Sequence, residues 1–282
     1  MSDLIAVTRA ETAKMLRRPA TWTLLGAAAL LAEAFAFLVP YLSYRSGSSD
    51  GVTAGGTPLL ASTLPDQVVV NTTAAFPVFT GALALVLGAL VSGGEYSHGT
   101  VKTLFTQRPR RATVISGQLI AAIIAVGLGV LALYALSATN SAVIAAIEDA
   151  PSDWPSLRAQ AQGLAAGWAI MAMWTALGVM LGTLLRSMAL PIGLGVVWIL
   201  GIENLVSSVA GSLLTALEPL RDVLPGVNAG SLLNAVLPAA PDGMPPGVQD
   251  TVSGGRGLLT VGGYVLAAAV VLIAMTNRRD VT

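Results

Sequence analysis

The chain has no cysteine and few charged residues. None of its 282 residues is Cys, only 11% are Asp, Glu, Lys or Arg, and 54% are hydrophobic. The absence of cysteine excludes disulfides, zinc–thiolate sites, iron–sulfur clusters and thiol nucleophiles. A soluble domain carries roughly a quarter charged residues, so the low charge argues against a soluble globule. The high hydrophobic content excludes a disordered chain.

Residues that support catalysis are equally scarce. The single histidine is His98, and the only lysines are Lys14 and Lys102. A Walker A loop requires a lysine directly after a glycine, whereas these lysines follow Ala13 and Val101. The sequence also has no spacing of histidines and carboxylates that is typical of metal ligands. We therefore expect no catalytic residue, metal or cofactor on this chain.

Long runs without charge are what the chain has instead. A helix needs about 20 apolar residues to cross a bilayer, and runs of this kind occur six times, two of them interrupted by a single acid. They predict an all-α integral membrane protein with one transmembrane domain over residues 1–282. The expected spans lie near residues 20–44, 70–93, 112–137, 162–185, 187–206 and 257–276. The fifth is the shortest and must run past Glu203 or lie in thinned membrane.

The basic residues predict the orientation. With a cytoplasmic N-terminus, 11 of the 15 Lys and Arg residues fall on the inner side of the membrane. Cytoplasmic segments carry an excess of Lys and Arg, so we expect both termini in the cytoplasm, including a short tail at 278–282.

Two further segments are expected to touch the membrane surface. Residues 1–19 predict an amphipathic helix on the inner leaflet, which Pro19 ends before the first span. The external loop 207–256, which follows spans one to five at 20–206 and precedes the last span at 257–277, contains short apolar stretches and several prolines. It predicts short re-entrant or interfacial helices. The basic residues of the interfacial helix are Arg9, Lys14, Arg17 and Arg18.

The connection between the second and third spans, 94–111, is long and basic. Thr100 can cap a short helix, with Gly99 permitting the turn before it. Leu104 and Phe105 would then present apolar surface to a cytoplasmic partner. The alternative is a solvated loop whose arginines only fix the topology, and composition alone leaves the two interpretations open.

Two acids, Glu33 and Glu203, lie inside predicted spans. Ionisable residues in a membrane are costly and are often functional, so either acid is a candidate for proton or cation coupling. The alternative is a structural role, in which the carboxylate bonds to a Ser or Thr hydroxyl. For Glu203 simple hydration near the outer surface is a further alternative.

Two stretches resemble a known family. The segment ETAKMLRRPATWTLL at 11–25 is similar to the connecting helix and start of the first span in membrane subunits of ABC-2 type ABC transporters. The segment GGEYSHGTVKTLFTQRPRR at 93–111 resembles the family's E-x-x-x-G-T loop, with Glu95 as its acidic start and Gly99 and Thr100 as its Gly-Thr. The resemblance covers essentially the whole chain, and the Ala/Gly/Val-rich composition is similar to that of actinobacterial members.

The resemblance implies a function and partners. Two such permeases, identical or different, pair around a path, and two separate ABC ATP-binding subunits bind ATP and Mg and dock from the cytoplasm. The complex would export a hydrophobic or amphipathic substrate across a bacterial plasma membrane, without any nucleic acid. Residues 94–107 would form a coupling helix. The implied ATPase-coupling residues are Glu95, Tyr96, Gly99, Thr100, Lys102, Leu104, Phe105 and Arg110.

Two other functions compete with this one. A proton-coupled secondary carrier would use Glu33, and such carriers have inverted repeats, of which the sequence has no sign. A non-transporting membrane anchor for a cytoplasmic complex would explain the loop at 94–111 but not the elaborate segment at 207–256.

Overall fold

The computed structural model describes residues 2–47, 58–97, 111–212, 215–237, 245 and 247–278. These residues form helices and connecting turns, with no β-strand among them. Six helices are long and apolar enough to cross a membrane, which confirms the predicted all-α integral membrane protein. The spans, numbered first to sixth below, are Pro19–Arg45, Phe79–Ser97, Arg111–Ile147, Leu157–Leu185, Ala189–Ala210 and Gly254–Thr276.

The second and fourth spans form the centre of the bundle. Glycines let their backbones approach closely, since a Cβ on Gly88 would collide with the Thr175 carbonyl oxygen and one on Gly178 with that of Leu85. The Ser92 hydroxyl also donates a hydrogen bond to a carbonyl oxygen of the fourth span at 2.9 Å. Close approach through small residues is how helices pack where no water drives them together. The first and sixth spans lie outside this pair, and only 17% of the most apolar stretch of each is buried inside the protein.

The N-terminal segment forms a helix, Ser2–Arg17, directly before Pro19. It packs on the third span, where Gly117 leaves room for Val7. The apolar side chains divide between two surroundings: Met15 is buried in the bundle core, whereas Leu16 is 52% exposed. The apolar side of this helix therefore faces protein at Met15 and is open to the surroundings at Leu16.

Two predicted spans have different bounds in the structure. The second begins at Phe79 rather than near residue 70, because Pro77 separates it from a short helix, Val68–Thr73. Proline lacks the backbone N–H that a continuous helix would need, so an uncharged run of sufficient length does not form one helix. The third span continues past the predicted end at residue 137 to Ile147. Its 37 residues make it about 55 Å long, more than a bilayer core requires.

The segment before the last span also differs from the prediction. The fifth span continues past Glu203 as helix to Ser212, so the apolar residues after Val206 extend it instead of forming a separate helix. Short helices do follow, at Glu218–Arg221 and Pro225–Asn234. We call the latter the buried short helix, because residues 225–233 are all buried, and it packs mainly against the sixth span. The predicted coupling helix was placed at 94–107, but residues 94–97 continue the second span as helix to Ser97, and the rest of the predicted helix lies outside the described residues.

Candidate functional site

Four charged side chains meet where the N-terminal helix reaches the end of the second span. We call Glu11, Lys14, Arg18 and Glu95 the N-terminal charge cluster. One Glu95 carboxylate oxygen, Oε1, is 2.5 Å from Lys14 Nζ and 2.9 Å from Arg18 Nη2. Lys14 also lies 3.3 Å from Glu11. The cluster therefore ties the N-terminal helix to the residues directly before the basic loop.

Helical spacing explains why Glu11 and Lys14 of the N-terminal helix share this cluster, because residues three apart lie on one helix face. Arg18, the extended residue between that helix and Pro19, joins them from the start of the first span. Glu11 is 5% and Glu95 4% exposed. Two acids and two bases balance, as buried charges must. The Arg18 guanidinium also reaches the Leu90 carbonyl oxygen at 3.4 Å, which holds it against the second span.

The end of the second span is closely packed on its other side. A Cβ on Gly93 would collide with the Ser187 carbonyl oxygen, in the turn between the fourth and fifth spans. Gly94 lies beside the Arg18 guanidinium. The chain that leads into the loop therefore contacts two other parts of the protein, so displacement of the loop would act on both.

The structure describes only some of the predicted coupling residues. Glu95 is buried and ion-paired within the chain, and Tyr96 beside it is half-buried. Arg9 and Arg17, on the N-terminal helix, are exposed. The remaining predicted coupling residues lie outside the described part of the chain: Gly99, Thr100, Lys102, Leu104, Phe105 and Arg110.

Glu33 lies near the middle of the first span, about 21 Å along the helix from Pro19 and about 18 Å from Arg45. Its carboxylate accepts hydrogen bonds from the Ser137 hydroxyl at 2.8 Å and from the Asn140 amide at 2.7 Å, both on the third span. The hydroxyl partner agrees with the structural interpretation of Glu33. The side chain is only half-buried, however, because it also lines a groove between the two spans.

Glu203 is 5% exposed, so the interpretation of a hydrated side chain is wrong. The buried short helix covers it, which the sequence did not reveal. One carboxylate oxygen accepts from Trp198 Nε1 at 2.6 Å, and the other from the Gly226 backbone N–H at 2.8 Å. Gly226 is in the first turn of the buried short helix, where a negative charge is stabilised by unpaired N–H groups and the helix dipole. Glu203 thus fastens that helix to the fifth span.

Both intramembrane acids adjoin a π-helical turn. The turn Ala34–Leu38 follows Glu33, and the turn Trp198–Ile202 precedes Glu203. Turns of this kind are rare in helices and are frequent at functional sites. Nothing in the hydrophobic pattern of either span predicts them.

A third acid, Glu148, lies at the end of the third span that is farther from the N-terminal charge cluster. Glu148 follows the third span and accepts a hydrogen bond from the Tyr41 hydroxyl at 2.7 Å and an ion pair from Arg45 at 3.1 Å. The Tyr41 hydrogen bond and the Arg45 charge hold the pKa of the Glu148 carboxyl below its usual value. The first and third spans are therefore joined at Glu33 and again at Glu148.

Sequence reasoning missed the residues that complete these sites. Ser137 and Asn140 are polar residues in an uncharged span, and this could have marked them as partners for a buried acid. Nothing in the sequence paired Trp198 or Gly226 with an acid. Within the described ranges, no three His, Cys, Asp or Glu side chains come together as metal ligands would. Glu33, Glu95, Glu148 and Glu203 instead join helices through ion pairs and hydrogen bonds.

A bundle of six candidate spans among the described residues, with an N-terminal helix tied to the end of the second span, defines a multi-pass membrane protein. The family model described as ABC-2 family transporter protein matches residues 5–281, and the chain belongs to this family. It is therefore the transmembrane permease of an ABC transporter, a membrane subunit that works with an ATP-binding subunit. No curated protein matches the chain.

Proposed function

We propose that this permease is the export path of an ATP-driven pump that moves a hydrophobic or amphipathic substrate out of the cytoplasm or inner leaflet. It would pair with a second permease in a bacterial plasma membrane, with both termini in the cytoplasm. Two ATP-binding subunits would hold ATP and Mg and hydrolyse the nucleotide. The segment 94–107 would receive their movement, through a coupling helix that follows the end of the second span at Ser97.

The N-terminal charge cluster is the observation that carries the proposal. Glu95 starts the coupling segment, and its carboxylate is bound to Lys14 of the N-terminal helix and to Arg18, which connects that helix to the first span. A displacement of the loop would therefore also move the N-terminal helix and the first span that follows it. Since both acids of the cluster are buried, the cluster resists separation better than a surface ion pair would.

This arrangement separates two tasks that the sequence assigned together to the coupling segment. Leu104 and Phe105 would supply the apolar contact to the ATP-binding subunit, with Lys102 and Arg110 as polar contacts. Glu95 would instead transmit movement inside the permease. Docking and transmission should then fail independently of each other.

The test compares variants of each kind in the reconstituted complex. Phe105→Ala and Lys102→Glu should lower co-purification of the ATP-binding subunit. Glu95→Gln should leave co-purification intact and reduce substrate-stimulated ATP hydrolysis at least about fivefold, because a neutral amide cannot hold two cations. Arg17→Gln is the matched control, since Arg17 is an exposed basic residue of the same helix.

Three outcomes decide the matter. Normal assembly and transport in Phe105→Ala and Lys102→Glu would overturn the coupling-helix assignment. Full substrate stimulation in Glu95→Gln would overturn transmission through the cluster. If Glu95→Gln is unstable, the swapped pair Arg18→Glu with Glu95→Arg restores one ion pair, and rescue of coupling by this double variant supports the proposal.

A further inference from the structure

We propose that the groove between the first and third spans binds an amphiphilic cation, with Glu33 as its counter-charge. The groove has a cavity volume of about 290 Å³, near the lower end of small-molecule sites. It is lined by residues of the two spans only. Identification of the bound cation as a transport substrate rests on the proposed function, whereas binding itself does not.

The charge balance of Glu33 is the first argument. Among the described residues, Glu11, Glu95, Glu148 and Asp222 all form ion pairs with Lys or Arg. No described Lys or Arg pairs with Glu33, whose partners are the neutral Ser137 and Asn140 side chains. A lone carboxylate in the middle of a membrane is costly, and a positively charged ligand would offset that cost.

The geometry leaves room for such a ligand. Ser137 donates to one carboxylate oxygen and Asn140 to the other. Two carboxylate oxygens offer about four lone-pair sites, so these two hydrogen bonds leave capacity for a cation. The bonds also fix the carboxylate against the third span, with the side chain still lining the groove. The counter-charge is thus held in place before a ligand arrives.

The rest of the groove is apolar. Leu30, Leu38 and Val143 form an exposed rim, at 72%, 55% and 50% exposure, and Phe37 and Ile144 are buried behind them. A single charge in an apolar cleft fits a ligand with one positive charge on a hydrophobic body. The aromatic Phe37 and Tyr41 also line the cleft, and aromatic faces attract cations.

The backbone next to Glu33 also supports a binding site in the groove. The π-helical turn Ala34–Leu38 begins directly after Glu33 and includes three residues of the groove wall, Ala34, Phe37 and Leu38. Such turns recur at functional sites. By contrast, the π-helical turn beside Glu203 adjoins a carboxylate closed off by the buried short helix. Glu33 is therefore the intramembrane acid that a ligand could reach.

The experiment measures equilibrium binding of tetraphenylphosphonium to the purified permease in lipid nanodiscs, after subtraction of empty nanodiscs. Tetraphenylborate, which has nearly the same shape and the opposite charge, is the matched ligand control. The wild type should bind the cation saturably and the anion not at all. Glu33→Gln should weaken cation binding about tenfold or more, because it removes the charge with little change of shape.

Three further variants serve as controls. Asp149→Asn removes an exposed acid just beyond the third span, at a left-handed residue where Asn is tolerated, and should bind like the wild type. Glu33→Asp keeps the charge and should retain more binding than Glu33→Gln. Because the chain has no cysteine, Leu30→Cys supplies a unique thiol on the rim. Disulfide cross-linking of two copies through it, without cation binding, would assign the groove to a second copy.

Several results overturn the proposal. These are no saturable binding by the wild type, equal binding of the two tetraphenyl ions, or full binding by Glu33→Gln. No ATP-binding subunit is needed, so this failure is distinct from failure of the export proposal. Conversely, cation binding without any cation-stimulated ATP hydrolysis in the assembled complex would keep the site and deny that the ligand is a substrate.

Discussion

Glu33 and Glu203 are both glutamates inside membrane spans, but their surroundings differ. Each lies inside a membrane span beside a π-helical turn, and each carboxylate accepts two hydrogen bonds. Glu203 is enclosed between its own span and the buried short helix, at 5% exposure. Glu33 is half-buried and lines a groove. The role of an intramembrane acid thus follows from what covers it, not from its depth or local backbone.

The donors differ in kind as well. Glu203 accepts from the Gly226 backbone N–H, which is buried at the start of the buried short helix, and from the indole of Trp198, which is 39% exposed. Removal of the carboxylate would leave the fixed, buried Gly226 N–H without this acceptor. The donors to Glu33 are the side chains of Ser137 and Asn140, which can rotate, and a Ser hydroxyl in a helix can bond to a backbone carbonyl of its own helix. Glu203 should therefore matter for stability, and Glu33 for ligands.

The largest predicted effect is from Glu203→Ala. The buried Gly226 N–H loses its acceptor at about 1–3 kcal/mol, and the more exposed Trp198 N–H adds a smaller cost, so we expect about 3 kcal/mol of destabilisation. Thermal or denaturant unfolding of the detergent-solubilised permease measures it. Trp198→Phe, which removes one donor and leaves the carboxylate bound to Gly226, should cost about 1 kcal/mol. Equal melting of Glu203→Ala and wild type would show that the acid does not hold the buried short helix.

Next in size is Gly226→Ala. A Cβ at this position would collide with Glu203 Oε2, so the helix or the carboxylate must shift. Overpacking of this kind costs about 1–3 kcal/mol, and we expect about 2. Gly262→Ala in the sixth span is the matched control, because a Cβ there meets nothing within 4 Å. An equally mild effect of both substitutions, measured by the same unfolding assay, would contradict the close contact.

Features formed by residues close together in the sequence, such as the membrane spans, could be predicted from it, whereas sites formed by distant residues could not. Charge-free runs identified all six spans, because a bilayer imposes the same length on each. The starts and ends were less accurate where local chemistry overrides hydrophobicity, as Pro77 does before the second span. The extension of the third span to Ile147 was visible as an uncharged run, but nothing in that run marks where the membrane ends.

The sites depend on pairs far apart in sequence. Arg18 and Glu95 are 77 residues apart, and Glu33 and Asn140 are 107 apart. A single sequence shows that each residue is polar but not which one it meets. This is why Glu95 was expected to contact another subunit, while the structure pairs it with the N-terminal helix. The family resemblance indicated that the segment 93–111 matters for function. Only the packing of the helices showed that Glu95 pairs with Lys14 and Arg18 of the same chain.

A smaller effect on stability is predicted for Glu33→Gln. The amide oxygen still accepts one hydrogen bond, and its neighbouring donors are side chains that can rotate, so the cost should stay below about 1 kcal/mol. Glu203→Gln should cost more, because the amide directs its own N–H group at a fixed donor, Gly226 N–H or Trp198 Nε1. Unfolding of the two variants side by side checks the order. A reversed order would show that Glu33 is the more structural of the two acids.

The smallest predicted effect concerns Glu148, an acid beyond the end of a span. Its folded pKa is lowered, chiefly by the Tyr41 hydrogen bond and also by Arg45. A lowered folded pKa means that ionised Glu148 stabilises the fold above the usual carboxyl pKa and that this contribution disappears as pH falls through the lowered value. Glu148→Gln should therefore melt slightly below wild type at pH 7, by less than any variant above, since exposed ion pairs contribute little. The difference should vanish once the pH is below the folded pKa, and salt should reduce it at pH 7.

A gap between the two melting temperatures that stays constant from neutral to acidic pH would mean that the Glu148 charge does not join the first and third spans. In that case Glu33 would be the principal polar link between them, and Glu33→Gln should be more damaging than proposed here.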